Sequence, residues 1–160
     1  QSRCHKIHIN KPDQNEFTAR AATVLVTENV DFDLDTLDSY VRATYPDLRK
    51  CLQLLQQNSL NGSLNKPNNA DKSVGDWKLD CVELFKHGKI REARTLICQQ
   101  STPEETGEIF RWMYDNLDLW GKEQERKDAS IIIIRNGLAN LPLVGIPEIS
   151  LAATLVELTS

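Results

Sequence analysis

The sequence predicts an all-α protein built as two small helical units, and three observations carry that prediction. Apolar residues recur three and four positions apart through most of the chain, the spacing that gathers them on one face of a helix. Proline and aspartate stand where those stripes begin, as in Lys11-Pro12-Asp13 and Pro46-Asp47, positions at which a helix tolerates the one and gains from the other. Residues 58–73 are mostly Asn, Ser, Gly, Lys and Pro with no apolar period, so the chain divides near residue 70. With 160 residues, 40% of them hydrophobic, it buries on the order of 70% of its unfolded surface and needs no disulfide or metal to hold it.

The start of the chain departs from this pattern. Lys6-Ile7-His8-Ile9 alternates polar and apolar, the period of a strand. A single strand has no partner for its backbone groups, and the chain opens at Gln1 rather than methionine. The expectation is therefore a fragment whose remaining sheet lies upstream. Lys11-Pro12-Asp13 then starts a helix with proline in the first helical position, followed by Phe17, Ala21, Val24 and Leu25 on its inner face. In Asp31-Phe32-Asp33-Leu34-Asp35, Asp33 is the expected N-cap of a second helix with Leu34, Leu37 and Val41 as its stripe. Pro46 ends it and opens a third helix, residues 46–59, with Leu48, Cys51, Leu52 and Leu55 inside.

Beyond the divide, Trp77, Cys81, Leu84 and Phe85 form a stripe that stops at His87-Gly88, and Ile90, Ala93 and Ile97 form the next. Thr102-Pro103-Glu104-Glu105 has the form of a capping box, ahead of Ile109, Met113, Leu117 and Trp120. A further helix carries Ile131, Ile134, Leu138 and Leu141, and the last begins at Pro147 with Ile149, Ala152 and Val156. Ile131-Ile132-Ile133-Ile134 suits a strand as well, but the helical stripe on both flanks decides for a helix. These last two helices are apolar all round, the mark of burial on every side. They are read as the centre of the second unit or as a subunit interface through Ile131, Ile134, Leu138, Leu151 and Leu155.

Lys and Arg number 19 against 23 Asp and Glu, which excludes a global basic field for nucleic acid or anionic lipid. Residues 1–70 are neutral by count, so the acidic excess lies beyond them. No apolar run approaches the roughly 20 residues of a membrane span, and the start lacks a signal-peptide core. A cytoplasmic protein is expected. The four cysteines, Cys4, Cys51, Cys81 and Cys98, stand too far apart for a C-x-x-C pair and read as reduced, mostly buried thiols. Cys4, His5 and His8 are ligand-type residues, but neighbours in a strand point to opposite faces, so no metal site is assigned. Glycine-loop nucleotide motifs and familiar hydrolase constellations are missing, so the chain does not read as a complete enzyme.

Two arginines stand out. Pro46-Asp47-Leu48-Arg49-Lys50 puts two cations in the first turn of a helix, where the macrodipole opposes them. An anion held there reverses the sign, because backbone N–H groups and a guanidinium then converge on it. Neutralisation by Asp47 and neighbouring carboxylates is the alternative. Arg3, in Ser2-Arg3-Cys4, gains meaning only from its context.

Ser2-Arg3-Cys4 before a short strand, the Lys11-Pro12 helix start, and Tyr45-Pro46-Asp47-Leu48-Arg49-Lys50 together resemble the end of the ATPase domain and the lid of AAA+ sliding-clamp loader subunits, replication-factor-C-like proteins. The aromatic-Pro-Asp form, in place of the glycine-aspartate of cellular subunits, is similar to that of the large clamp-loader subunit of T-even-type bacteriophages. Residues 74–160, closing on Leu151-Ala152-Ala153-Thr154-Leu155, resemble the collar domain by position and length. The resemblance implies residues 1–10 as the tail of an ATPase domain, 11–64 as a three-helix lid, 65–73 as a linker and 74–160 as a collar of about five helices. It implies Arg3 as an arginine finger acting in trans and Arg49 as the sensor-2 arginine on ATP in its own subunit, beside Pro46 and Asp47. ATP and magnesium are implied for the parent protein, with none held by this stretch alone. Implied partners are sister subunits, a small loader subunit, the sliding clamp and primer-template DNA through the upstream ATPase ring, with no membrane. Two other readings stand beside it: a free-standing all-α module that self-associates through its last two helices, and a helix-turn-helix DNA binder using residues 46–59, which offers little cationic support beyond Arg49 and Lys50.

Overall fold

A computed structural model describes residues 10–66, 77–100 and 102–160. The chain separates into two compact units, Gln1–Lys66 and Pro67–Ser160. Lys6 to Ile9 lie outside the described residues, so the expected strand does too.

In the first unit, helices α1 (Gln14–Thr27), α2 (Leu34–Thr44) and α3 (Leu48–Asn58) pack around Phe17, Ala21, Leu25, Leu37, Tyr40, Val41, Cys51, Leu54 and Leu55. Each helix begins on an aspartate. Asp13 accepts from the N–H of Asn15 and Glu16, Asp33 from that of Thr36, and Asp47 from that of Lys50, at 2.8 to 3.3 Å. This displaces two expectations. Pro12 and Pro46 precede the cap instead of occupying the first helical turn, because the aspartate one residue on satisfies an orphan donor that proline leaves untouched. The inner faces shift as well: Leu34 is exposed, and on α3 it is Leu54 that is buried while Leu52 is only partly covered.

α1 ends at Asn29, held in the left-handed region at φ 54°. The N–H of Asn29 donates to the Val26 carbonyl and that of Val30 to the Leu25 carbonyl, which closes the last turn.

The stretch read as linker from Asn58 is structured at its start. Strands β1 (Ser59–Leu60) and β2 (Ser63–Leu64) form a two-stranded antiparallel hairpin whose turn residues, Asn61 and Gly62, have φ 56° and 78°. Asn-Gly is the pair that such a turn favours. The hairpin belongs to the first unit: Leu64 is buried, Asp31 exchanges main-chain hydrogen bonds with Gly62 and Leu64, and the buried Tyr40 hydroxyl donates to the Asn65 carbonyl at 3.0 Å.

The second unit holds α4 (Trp77–Lys86), α5 (Ile90–Gln100), α6 (Thr106–Asp115), a 3₁₀ turn (Leu117–Leu119), α7 (Gln124–Asn140) and α8 (Pro147–Leu158). Gly88, at φ 70°, ends α4 with the same closing pattern as Asn29: Lys89 donates to Leu84 and Gly88 to Phe85. Thr102 and Glu105 do not form the expected capping box. The threonine hydroxyl donates to the Glu105 carboxylate at 3.1 Å, which occupies both, and α6 begins one turn later. The 3₁₀ turn tucks Trp120 back under α6, where its indole N–H donates to the Met113 carbonyl at 2.9 Å. Phe85, Trp120, Trp112 and Trp77 follow edge to face, with centroids 5.0, 6.5 and 6.0 Å apart.

The four isoleucines lie within α7, as a helix. Neither α7 nor α8 is buried all round. Leu151, Leu155 and Leu158 of α8 face the core, while Ile149, Ala153 and Val156, at the same i, i+4, i+7 spacing, face out. α7 and α8 cross closely at Gly137, whose carbonyl accepts from the Ser150 hydroxyl at 3.1 Å. No described helix is long and apolar enough to cross a membrane.

Candidate functional site at the head of the third helix

The corner between α2 and α3 is built from four residues. Tyr45 closes α2 by donating its N–H to the Val41 carbonyl, the Tyr45–Pro46 peptide is cis, and Asp47 donates its N–H to the Thr44 carbonyl at 2.8 Å. The Asp47 carboxylate then turns inward along the helix to the Lys50 N–H. Pro46, Asp47, Arg49 and Lys50 are all exposed.

Arg49 is the second helical residue. A cation there costs about 0.3–1 kcal/mol against the macrodipole at an exposed site, and Asp47 offsets part of that. Some cations of the chain are tied to carboxylates, Arg42 to Asp38 at 2.8 Å, Arg111 to Asp115 at 3.7 Å, and Lys127 to Asp118, whereas Arg20, Arg91 and Arg135, which do not stand in the first turn of a helix beside a capping aspartate, are paired with no described carboxylate. Among the described residues no carboxylate pairs with Arg49. A guanidinium at the positive end of a helix, exposed and paired with no described carboxylate, can receive an anion with planar oxygens such as a phosphate group.

Cys51 lies buried one turn below. Burial pushes its thiol above the ordinary range, the Asp47 charge adds to that, and a hydrogen bond with Thr44 partly opposes it. The thiol is therefore neutral at neutral pH. Among the described residues no three His, Cys, Asp or Glu side chains converge on a cation-sized space.

Tyr45, the aromatic of the aromatic-Pro-Asp motif, supports the corner from its other side. Its hydroxyl donates to the Pro12 carbonyl at 2.6 Å, its ring meets Phe17 edge to face at 5.4 Å, and Lys11 Nζ stands 5.6 Å from the ring centroid. The aromatic-proline pair was the available signal, but its partners stand at residues 11, 12 and 17, beyond any local pattern.

The remaining expected residues divide. Arg3 and the Cys4, His5, His8 group lie outside the described residues. Of the five assigned to a subunit interface, Ile134, Leu151 and Leu155 sit in the unit's own core, at 4%, 0% and 0% exposure. Their burial there accords with the first of the two placements read for these helices, the centre of the second unit. Ile131 is half-buried and Leu138 is 47% exposed. The chain matches no protein-family model, no curated protein and no solved structure.

Proposed function

We propose that this chain is the lid and collar portion of a sliding-clamp loader ATPase subunit of bacteriophage type, whose parent protein uses ATP and magnesium to load a clamp onto primer-template DNA. The observation that carries the reading is Arg49, exposed in the first turn of α3 and unclaimed by any described carboxylate. As sensor 2 it meets the phosphates of ATP held by the upstream domain of its own subunit. Arg3 reaches the nucleotide of a sister subunit, where a fixed cation meets the charge that builds during phosphoryl transfer. The outer stripe of α8, Ile149, Ala153 and Val156, with Leu138 and Ile131 of α7, is the surface that meets sister subunits.

The test uses the parent protein, in which an upstream G-x-x-x-x-G-K-[ST] is expected in the same reading frame. Arg49→Ala weakens ATP binding about tenfold or more, as expected for the loss of a charged contact to phosphate. Arg3→Ala leaves binding intact and lowers clamp-stimulated hydrolysis by about 10³-fold, the scale of an arginine finger. Wild-type behaviour of both variants overturns the assignment.

One observation favours a second reading. An apolar stripe left facing out on α8, with Ile149 58% and Val156 50% exposed, suits a free-standing self-association module equally well. A reading frame with no ATPase motif, together with concentration-dependent dimerisation lost in Ile149→Glu, would decide for that module.

A further inference from the structure

Three described asparagines are followed by glycine or serine, whose small or missing side chain leaves the next main-chain nitrogen open to approach by the asparagine amide carbon. Their surroundings differ. Asn58 Nδ2 donates to the Leu54 carbonyl at 2.8 Å, and the N–H of Ser59 donates to the Gln56 carbonyl. Asn136 and Gly137 lie inside α7, where each N–H is held by the carbonyl one turn back, and Gly137 is buried at the crossing with α8. Asn61 and Gly62 form the tip of the hairpin, both exposed, at φ 56° and 78°. Among the described residues the Asn61 side chain makes no hydrogen bond, and no group accepts from the Gly62 N–H. Of the three steps, this one alone has both reacting groups unheld.

We propose that Asn61 is a self-modification site, at which the chain deamidates without an enzyme and thereby loosens the hairpin from the first unit. The Gly62 nitrogen gives its proton to hydroxide and adds to Asn61 Cγ, forming a new C–N bond. The bond from Cγ to Nδ2 then breaks, and ammonia leaves with a proton taken back from water. The cyclic imide that remains takes up water. Cleavage of its bond to Cγ restores the main chain with aspartate at position 61, and cleavage at the main-chain carbonyl gives isoaspartate, in which the chain runs through Cβ and Cγ. The attack needs the turn to open so that the nitrogen swings onto Cγ, and a hairpin with two residues in each strand opens locally at little cost. The consequence follows from how the tip is tied. The Asp31 N–H donates to the Gly62 carbonyl and the Leu64 N–H to the Asp31 carbonyl, at 2.8 Å each. A main chain longer by one carbon at position 61 carries Gly62 away from Asp31, and either product adds a negative charge next to that aspartate.

Asn136-Gly137 is the internal control, being the same dipeptide in the same chain. The full chain is aged at mildly alkaline pH, folded and in urea, and peptide mapping follows acid formation at each step, with hydroxylamine trapping the imide as a cut after Asn61. In the folded chain Asn61 is expected to convert at least about tenfold faster than Asn136, whose reaction waits for α7 to open. In urea that difference disappears. Amide exchange at Asp31 and Leu64 is expected to rise about tenfold in the aged protein. It stays constant on ageing in Asn61→Gly, which keeps a residue suited to positive φ and has no side-chain amide to lose. Equal conversion at Asn61 and Asn136 in the folded chain overturns the site. Conversion at Asn61 with unchanged exchange at Asp31 and Leu64, or a rise that Asn61→Gly shares, overturns the loosening of the hairpin.

Discussion

In the first unit every helix starts on an aspartate that receives a first-turn N–H, whereas in the second α6, α7 and α8 start at Glu105, Glu123 and Ile146 with no side-chain cap. The second unit fixes its helices from a distance. Arg126 of α7 donates to the carbonyl of Leu158, the last residue of α8, and to that of Ser160 beyond it, at 2.8 Å each, and to the Trp120 carbonyl at 3.3 Å. The contrast separates two sources of order. A cap acts over three residues and is worth about 1 kcal/mol wherever it stands, while a tertiary contact orders a helix only after the rest of the unit is in place. The first unit therefore has its boundaries written locally, and the second has them imposed by packing.

The sharpest break of that comparison lies at Gly137. A Cβ there would stand 2.1 Å from Thr154 Oγ1 and 2.7 Å from a Phe110 ring carbon. Neither can yield easily, since the Thr154 hydroxyl is buried and bonded to the Ser150 carbonyl and Phe110 is a core residue. Gly137→Ala is expected to cost about 3 kcal/mol, the upper part of the range for overpacking a core. All three tryptophans belong to the second unit, so tryptophan fluorescence during urea unfolding reads that loss directly. A midpoint equal to wild type would mean that the α7 and α8 crossing is not a packing constraint.

What could be read in the sequence follows the same division. Asp33 and Gly88 declare themselves through chemistry confined to one turn, and both stand where the pattern puts them. Asp13 and Asp47 are equally local, but Pro12 and Pro46 compete for the same start, and the carboxylate prevails by satisfying a donor. The hairpin at Asn61-Gly62 also carried its own signal, hidden in a stretch whose composition reads as linker. The apolar helices α7 and α8 show the opposite case. Their composition calls for burial on two sides, but which stripe meets the core depends on Phe110, Gly137 and Ser150, residues brought together only by the fold. For the same reason Arg49 is legible as an anomaly in a first turn, while the ties of Tyr45 to residues 11, 12 and 17 are not, since an aromatic-proline pair marks the residue without naming its partners.

A smaller effect sharpens the first half of the comparison. Asp33 accepts from both the N–H and the hydroxyl of Thr36, at 3.2 and 3.4 Å, and Thr36 is buried. Asp33→Ala leaves the N–H without its cap and the hydroxyl without that acceptor, a loss of about 1.5 kcal/mol. Amide exchange at Leu37, Tyr40 and Val41 should accelerate about tenfold, the equivalent of that energy, with the tryptophan-detected transition left in place. Equal destabilisation by both probes would mean that the two units unfold together and that caps in one support packing in the other.

The finest comparison sets Asn29 against Gly88, which end α1 and α4 with the same pair of closing hydrogen bonds at φ 54° and 70°. Only the side chain differs. An L residue pays to enter the left-handed region, asparagine less than most, and glycine nothing. A Cβ built on Gly88 meets no atom within 4 Å, so exchanging the two residues changes the backbone cost and no packing. Asn29→Gly should stabilise the first unit by about 0.5 kcal/mol, and Gly88→Asn should destabilise the second by a similar amount. Paired urea titrations, by amide exchange in α1 and by tryptophan fluorescence, test both signs together. Two shifts in the same direction would show that the asparagine side chain makes a stabilising contact of its own and that the two helix ends are not equivalent.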